Sequence, residues 1–335
     1  MRNRFPKHKN DVKRMKTNIS KWLSLIVLLT MSSTLYPQER IEYLPYGDMD
    51  SWTVRYIKES FLLGGKTRTL YVIAKTDTIR KNKPYPYDSD DSPWGTSNAY
   101  AKVYGVEKAA VSVTPEPRGD GYCCRLETSL QTVTAVGIDI KALATGSLFT
   151  GNLLDPMTME GTKEPMKTMD IGIPFTKRPK ALMLDYKAFI QQNKALVRAA
   201  GSVKVTTIEG HDEGEIILFL QHRWEDADGN IFAYRVGTAS EHIAKSIPDW
   251  HNDHRLPIRY GDISQSSSYK PWEKLSKNRF MARNSKGKMV PIQEVGYKAD
   301  ATPTHLILQI SAGCQEAFTG CPGNVLWCDN IRLVY

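Results

Sequence analysis

The chain has 335 residues, of which 41% are hydrophobic and 10% aromatic, with 45 Lys and Arg against 36 Asp and Glu. This composition excludes a disordered or collagen-like chain and is typical of a globular protein. The formal net charge of +9 comes mostly from the first 36 residues, which hold eight basic residues and one acid. The other 37 basic and 35 acidic residues nearly balance and form no long basic run, which argues against nucleic-acid binding.

The N-terminal segment has the order of regions found in a secretory signal peptide. A basic stretch ends at Lys21, the apolar core Trp22–Leu29 follows, and small polar residues come next. This core is far shorter than the ~20 residues that a membrane-spanning helix needs, and no later segment reaches that length. We therefore predict that residues 1–36 are a signal peptide, with Met15 as an alternative start, and that the protein is exported to the periplasm or the cell surface.

A period of two dominates the rest of the chain. Short runs such as Thr69–Ala74, Thr132–Ile140 and Ala181–Phe189 are rich in β-branched and aromatic residues and are bounded by Gly, Pro, Asp or Asn. Helical periodicity is scarce, and strands do not alternate with helices. The pattern predicts an all-β fold, an antiparallel β-sandwich of the jelly-roll type, as one domain over residues 37–335.

Three segments between the predicted strands indicate turns or loops. The stretch EDADGN, between Trp224 and Ile231, is a predicted hairpin turn because Asp-Gly tolerates the positive φ of tight turns. Thr78–Ser97 and Pro248–Leu275 are long and rich in Pro, Asp, Ser, Tyr and Trp, which favours surface loops. Loops of this length in a compact domain are functional or disordered, and their aromatic content favours function.

Aromatic side chains on such loops offer flat faces on which sugar rings can stack. Trp94 is the first candidate because it lies between a Pro and a Gly, in a turn with a stiff backbone, and Asn98 supplies a donor and an acceptor nearby. Trp52 is a further candidate. For each, the alternative is that the ring fills the end of the sandwich, and Trp224 and Trp327 are expected in the core.

Catalysis by a glycosidase would need two carboxylates that face each other across a cleft. The candidates are Asp48, Asp50, Glu127, Asp185, Glu225, Asp253 and Asp262. Nothing in the sequence indicates which two converge, and acids beside turns need no special role. Motifs of other hydrolases, such as G-x-S-x-G and H-E-x-x-H, are absent. No catalytic residue is therefore assigned.

The predicted mature chain contains five cysteines, which are candidates for disulfide bonds or metal ligands. Cys314 and Cys321 flank a short Gly-containing loop, which predicts a disulfide between them in an oxidising compartment. The CxxC pairs typical of zinc sites are missing, so no metal ligand is predicted. A structural calcium ion held by Asp329 and Glu42 is a minority alternative, and no other cofactor is expected.

Several blocks together carry a family resemblance. PWGTSN, CRLETSL, ATGSLFTGNL, GIPFTKRPKALMLDYKAF and the C-terminal GNVLWCDNIRLVY resemble the putative carbohydrate metabolism domain found in exported proteins of gut Bacteroidales, from about residue 40 to the end. The resemblance implies a jelly roll similar to carbohydrate-binding modules, with a role in glycan recognition or breakdown. Trp94, Asn98, Arg178 and Tyr186 match the family pattern by position, whereas Met183–Asp185 depart from it.

We therefore expect an exported carbohydrate-binding protein that recognises a glycan through loop aromatics, without catalysis, alongside other proteins of a glycan-utilisation system. One alternative is a glycoside hydrolase that uses two carboxylates. The other is an adhesin or scaffold that binds another protein. The predicted ligand-binding residues are Trp94, Asn98, Trp52, Arg178 and Tyr186.

Overall fold

The computed structural model describes residues 39–86, 92–135, 138–192 and 195–335. Within these ranges Ile41–Tyr335 form one unit built almost entirely of strands. The predicted signal peptide, residues 1–36, lies outside the described residues. In the described part of the chain, no helix has both the length and the apolar character needed to cross a membrane.

Strands account for nearly all regular structure. In chain order they are β1 Ile41–Tyr43, β2 Trp52–Lys58, β3 Thr67–Ile73, β4 Asp77–Ile79, β5 Trp94–Thr96, β6 Ala99–Val103, β7 Val106–Ala110, β8 Val113–Arg118, β9 Gly121–Glu127, β10 Ser129–Ala135, β11 Ile138–Ala144, β12 Ser147–Leu153, β13 Met169–Ile171, β14 Ile173–Pro174, β15 Ala181–Phe189, β16 Leu196–Arg198, β17 Ala200–Ser202, β18 Thr206–Ile208, β19 Gly214–Glu225, β20 Ile231–Ile243, β21 Ile247–Pro257, β22 Arg259–Tyr260, β23 Met281–Arg283, β24 Met289–Tyr297, β25 His305–Ser311, β26 Thr319–Gly320 and β27 Val325–Val334. The helical segments are α1, Met159–Lys163, and 3₁₀ turns at Phe61–Leu63, Pro165–Thr168 and Pro271–Glu273.

Two large sheets form the sandwich. The six-stranded sheet has the order β21-β15-β27-β9-β8, with β1 also paired to β27. The ten-stranded sheet has the order β14-β25-β19-β20-β24-β23-β13-β12-β5, with β22 beside β20. Most pairs are antiparallel, but β20 pairs with β24 in parallel, as β13 does with β23. The predicted all-β sandwich is confirmed, with these parallel pairs as a departure from a purely antiparallel arrangement.

The main core lies between the two sheets. Leu182, Leu184 and Tyr186 of β15 are buried there together with Leu218 and Leu308 of the ten-stranded sheet. The inward residues of β15 are two apart because successive side chains of a strand point to opposite faces. Burial of this apolar surface is the main stabilising contribution to the sandwich.

The ten-stranded sheet is buried on both faces. In β19, Ile216 and Leu218 belong to the core between the sheets. Ile217 and Phe219, on the opposite face, pack with Phe280 in a second core. A strand buried on both faces needs apolar residues at every position, which accounts for the uninterrupted run in the middle of β19. Polar side chains of β19 can therefore lie only at its two ends.

Parts of the two predicted loops are strands. Residues 248–257 of the second loop belong to β21, which pairs with β15 at the edge of the six-stranded sheet. Residues 94–96 of the first loop form β5, which pairs with β12, and residues 87–91 lie outside the described residues. The prediction was wrong for these strands because partners distant in sequence provide their hydrogen bonds, and an edge strand tolerates polar residues.

The predicted disulfide between Cys314 and Cys321 is not formed. The backbone N–H groups of both residues instead donate to the buried Asp212 carboxylate, at 2.9 Å to Oδ1 and 3.0 Å to Oδ2. One side chain thus joins the two ends of this loop without a covalent link. Cys124 and Cys328, which are far apart in the sequence, lie directly opposite each other on β9 and β27.

Candidate functional site

A pocket of about 470 Å³ opens at one end of the ten-stranded sheet, where β19 ends and β25 begins. Its volume is within the ~300–1,000 Å³ typical of small-ligand sites. We name it the Trp224 pocket. Its polar and aromatic lining includes Asn152, Asp170, Arg223, Trp224, Glu225 and His305.

The hairpin turn between β19 and β20 positions Trp224. The Asp226 Oδ1 atom accepts the backbone N–H groups of Asp228 at 3.0 Å and Asn230 at 2.8 Å. This confirms the predicted turn, in which backbone donors hold the Asp226 carboxylate. The register that the turn sets places Trp224 opposite Phe232.

Trp224 is 37% exposed, so its predicted position in the core is wrong. The ring stacks on Phe232, with centroids 5.8 Å apart at 24°, and on Tyr234, with centroids 5.0 Å apart at 36°. Trp224 comes near the end of β19, beyond the part of the strand that is buried on both faces. A supported and accessible indole on a pocket wall suits stacking against a flat apolar surface.

Arg223 brings a half-buried cation to the same pocket. Its Nε donates to Gln221 Oε1 at 2.7 Å and its Nη1 to the Ile171 carbonyl at 2.9 Å. The buried Nη2 has no acceptor among the described residues. Burial lowers the pKa of Arg223 to about 9, so the guanidinium is still charged at neutral pH. At Gly172, where φ is +98°, a Cβ atom would lie 2.4 Å from Nη2, so only glycine leaves room for this arrangement.

An amide and two carboxylates complete the polar lining. Asn152 lies opposite Asp170 across the β12–β13 pair, and its side chain makes no hydrogen bond within the described ranges. Asp170 Oδ1 accepts the Arg283 backbone N–H at 3.0 Å. Glu225 accepts the Ser285 hydroxyl at 2.6 Å and its N–H at 2.8 Å, and these bonds lower the pKa of Glu225. The pocket thus offers donors and acceptors together.

His305 supplies a neutral imidazole at the pocket. Its Nδ1 lies 2.9 Å from the Thr304 hydroxyl. Burial, followed by the neighbouring Arg223 cation, lowers the pKa of His305 to about 3. The ring is therefore uncharged at neutral pH and can act as either a donor or an acceptor.

The two tryptophans predicted to bind ligand are buried instead. Trp94 is 4% exposed and Trp52 is 5% exposed, and both belong to the core between the sheets. The indole Nε1 of Trp94 donates to the Pro45 carbonyl at 2.7 Å, and that of Trp52 donates to the Met49 carbonyl at 2.6 Å. The expected exposure of Trp94 is wrong because the pairing of β5 with β12 turns this ring into the sandwich.

Both the Nδ2 and the Oδ1 atom of Asn98 are hydrogen-bonded to backbone groups. Its Nδ2 donates to the carbonyls of Tyr71 at 3.0 Å and Val113 at 2.8 Å. Its Oδ1 accepts the N–H groups of Ser112 and Val113, both at 2.9 Å. These bonds join three segments of the chain and occupy the amide that the sequence analysis assigned to a ligand.

Arg178 and Tyr186 are also placed away from the Trp224 pocket. Arg178 is exposed, donates to the Ala299 carbonyl at 2.6 Å, and lies over the Tyr260 ring at 4.3 Å. Tyr186 is 1% exposed and packs against the His254 ring, with centroids 5.0 Å apart. The pocket therefore contains none of the five predicted ligand residues. Alternation along β15 was the signal that could have assigned Tyr186 to the core.

Two carboxylates meet on the outer face of the six-stranded sheet, where Asp185 lies opposite Asp329. Arg118 donates to both, at 2.9 Å to Asp185 and more closely to Asp329. Burial raises the pKa of Asp329 to about 6. Burial alone would also raise that of Asp185, but the Asp253 N–H, the Asn330 amide and Arg118 hold it below its usual value. We name this group the Arg118 cluster.

The calcium alternative finds no support in these contacts. Asp329 is bound by Arg118, and Glu42 is bound by Lys177 at 2.6 Å. Each carboxylate thus already has a cationic partner. Of the other carboxylate candidates, Glu127 pairs with Arg125 at 2.6 Å, so its charge is also balanced locally.

Among the solved structures that match this chain, two are similar over most of its length, whereas no curated protein matches it. One is a putative glycoside hydrolase from Bacteroides thetaiotaomicron VPI-5482, 18% identical, with 84% of this chain and 71% of that chain covered and a TM-score of 0.44. The other is a putative glycoside hydrolase from Bacteroides vulgatus ATCC 8482, 14% identical, with 88% and 94% covered and a TM-score of 0.39. At such TM-scores, neither structure indicates what this chain does.

A family model gives the stronger comparison. The model described as putative carbohydrate metabolism domain matches residues 68–334, which include both the Trp224 pocket and the Arg118 cluster. The resemblance found in the sequence is confirmed. The chain belongs to the putative carbohydrate metabolism domain family.

Proposed function

We propose that this protein is an exported glycan-binding protein that holds a sugar in the Trp224 pocket without cleaving it. Family membership supports the link to carbohydrate. The observation that carries the proposal is the Trp224 ring, which is 37% exposed on a pocket wall and supported by Phe232 and Tyr234. Sugar rings have an apolar face that stacks on such an indole.

The polar groups of the pocket suit the hydroxyls of a sugar. The Asn152 amide, which lines the pocket, offers both a donor and an acceptor. The carboxylates of Asp170 and Glu225 can accept hydroxyl protons. Because cationic and anionic groups are both present, the pocket favours a neutral glycan over a strongly charged one.

Export is supported by the N-terminal order of basic, apolar and small polar residues. In this proposal the protein acts at the cell surface or in the periplasm, where it captures a glycan for other proteins of a utilisation system. Binding without cleavage is useful there because it raises the local concentration of substrate.

A glycan array probed with residues 37–335 tests this function, and calorimetry on each hit measures affinity. Trp224→Ala is expected to weaken binding by about 1–3 kcal/mol, as loss of an aromatic anchor does. Tyr104→Ala is the matched control, since Tyr104 is 89% exposed at the β6–β7 hairpin, outside the pocket. An array without hits would reject glycan binding, and unchanged affinity in Trp224→Ala would reject this pocket.

A glycoside hydrolase is the second candidate, and the Arg118 cluster is the observation in its favour. The pKa of Asp329 is raised to about 6 while that of Asp185 is lowered. Two neighbouring carboxyl groups with pKa values shifted in opposite directions resemble the general acid and the charged carboxylate of glycosidases. Release of reducing sugar from an array hit, abolished in Asp329→Asn, would favour the enzyme. Binding without release would favour the proposed function.

A further inference from the structure

Three side chains that can ligate a metal meet at the start of β19, the opposite end of this strand from the Trp224 pocket. Glu213 immediately precedes β19, His242 lies near the end of β20, and Cys314 follows β25. A carboxylate oxygen, a ring nitrogen and a sulfur from these residues all lie within 4.8 Å of one another. We propose that Glu213, His242 and Cys314 bind a zinc ion.

The His242 ring is held in the orientation that a metal ligand needs. Its Nε2 lies 3.0 Å from Glu215 Oε1, and its Nδ1 points to Glu213 Oε2, also at 3.0 Å. Trp272 stacks on the ring, with centroids 3.8 Å apart and planes at 5°. Proteins orient metal-binding histidines in this way, with the second ring nitrogen bonded to a carboxylate.

Glu215, which orients His242, is itself fixed. It is 2% exposed, and Arg279 Nη2 lies 2.7 Å from each of its oxygens. Gln309 Nε2 donates to it at 3.2 Å. This support is complete without the metal, so the ring is oriented before an ion arrives.

The ligand atoms of this group decide which metal it suits. The Nδ1 atom of His242 lies 3.0 Å from Glu213 Oε2, and the Cys314 sulfur is within 4.8 Å of the ligand atoms of both residues. A set of thiolate, imidazole and carboxylate suits zinc and not calcium or magnesium, which prefer oxygen ligands.

Asp212 couples the positions of two ligands. It adjoins Glu213 in the chain, and its carboxylate accepts the Cys314 N–H at 2.9 Å. At Gly313 a Cβ atom would lie 2.7 Å from Asp212 Oδ2, so glycine permits this close approach. When zinc binds, the Cys314 thiol loses its proton to solvent and a sulfur–zinc bond forms.

An ion can reach the site from solvent. The Glu213 side chain is 18% exposed, and His211, which is 76% exposed, lies with its Nε2 3.3 Å from Glu213 Oε1. Three protein ligands leave the fourth tetrahedral position to water. The site thus has the ligand count of zinc centres that keep one open position.

Calorimetric titration with zinc chloride tests the proposal. Reduced protein of residues 37–335, without an affinity tag and stripped with a chelator, is expected to bind one zinc ion per chain. With cobalt(II) chloride the protein should show a sulfur-to-cobalt charge-transfer band. Cys314→Ala is expected to lose this band and to bind zinc more than about 100-fold more weakly, beyond the ~10- to 100-fold effect of losing an orienting partner.

Glu213→Gln provides a second variant that retains the size of the side chain and should also weaken zinc binding. The matched control is Glu241→Gln, because Glu241 contacts His254 in a similar pair that lies outside the proposed site. Circular dichroism confirms that each variant is folded. The proposal is overturned if reduced protein binds no zinc, or if both Cys314→Ala and Glu213→Gln bind zinc as the control does.

Discussion

Trp94 and Trp224 each lie within two residues of a polar turn, but their rings end in opposite surroundings. Trp94 is 4% exposed and its indole N–H is bonded to Pro45, whereas Trp224 is 37% exposed on a pocket wall. The polar neighbours of a tryptophan therefore do not decide its exposure in this fold. The position of the strand determines the exposure of the ring. Trp94 on β5 points into the core between the sheets, whereas Trp224 lies near the end of β19, beyond that core.

The asparagines near these tryptophans repeat the contrast. The Asn98 side chain makes four hydrogen bonds to backbone groups. Asn152 makes none to the described residues and lines the Trp224 pocket. An amide with all its partners stabilises the fold, and an amide without partners is available to a ligand.

The largest expected effect is on the free energy of unfolding when the buried Trp94 is replaced. Trp94→Ala should lower the free energy of unfolding by about 3–5 kcal/mol, because it empties a core site. Denaturant unfolding of the purified variant measures this loss. A change below about 1 kcal/mol would show that the ring contributes little to the core.

Asn98→Ala is expected to cost roughly 2–3 kcal/mol of unfolding free energy. The buried N–H groups of Ser112 and Val113 would lose their acceptor, and each unmet buried donor costs about 1–3 kcal/mol. The same denaturant assay applies, with Asn152→Ala as the control that should stay close to wild type. Equal losses in the two variants would contradict the contrast.

A smaller effect is expected from pH. The pKa of His305 is about 3 in the folded protein, against about 6.5 in an unfolded chain. The unfolded state therefore binds the proton more readily, so stability is full above pH ~6.5 and falls as the pH decreases towards 3. The slope from this group is at most about 1.4 kcal/mol per pH unit. Unfolding measured across this range should be less pH-dependent in His305→Gln, and an unaltered slope would argue against the lowered pKa.

The smallest effect is expected at Trp224. Because its ring is partly exposed but stacks on Phe232 and Tyr234, Trp224→Ala should lower the free energy of unfolding by only about 1 kcal/mol. Paired melts of this variant and Trp94→Ala test the comparison directly. A large loss in Trp224→Ala would assign the ring a structural role.

Local patterns predicted the sandwich but not the site. Leu182 and Leu184 alternate with outward residues along β15, and this alternation is visible in the sequence because it depends only on strand geometry. If the same alternation is continued for two more residues, it also predicts that Tyr186 points into the core between the sheets. The Trp224 pocket draws on β12, β13 and β25 besides β19, and the register between such distant strands has no local signal.

The proposed zinc ligands illustrate the same limit. Glu213 and His242 meet because Glu215 pairs with His242 across β19 and β20, and Cys314 joins them because β25 pairs with β19. No short spacing motif links the three residues, so a search for CxxC or HExxH patterns could not find them.

The pairing of β1 with β27 has a consequence for how the chain folds. Ile41 lies opposite Val334, and β27 is an inner strand between β15 and β9. The six-stranded sheet therefore cannot close until the last strand has left the ribosome. Contacts this distant in sequence slow folding and prolong the exposure of apolar strands. During synthesis the apolar strands of this sheet thus stay exposed until β27 is available to pair with them.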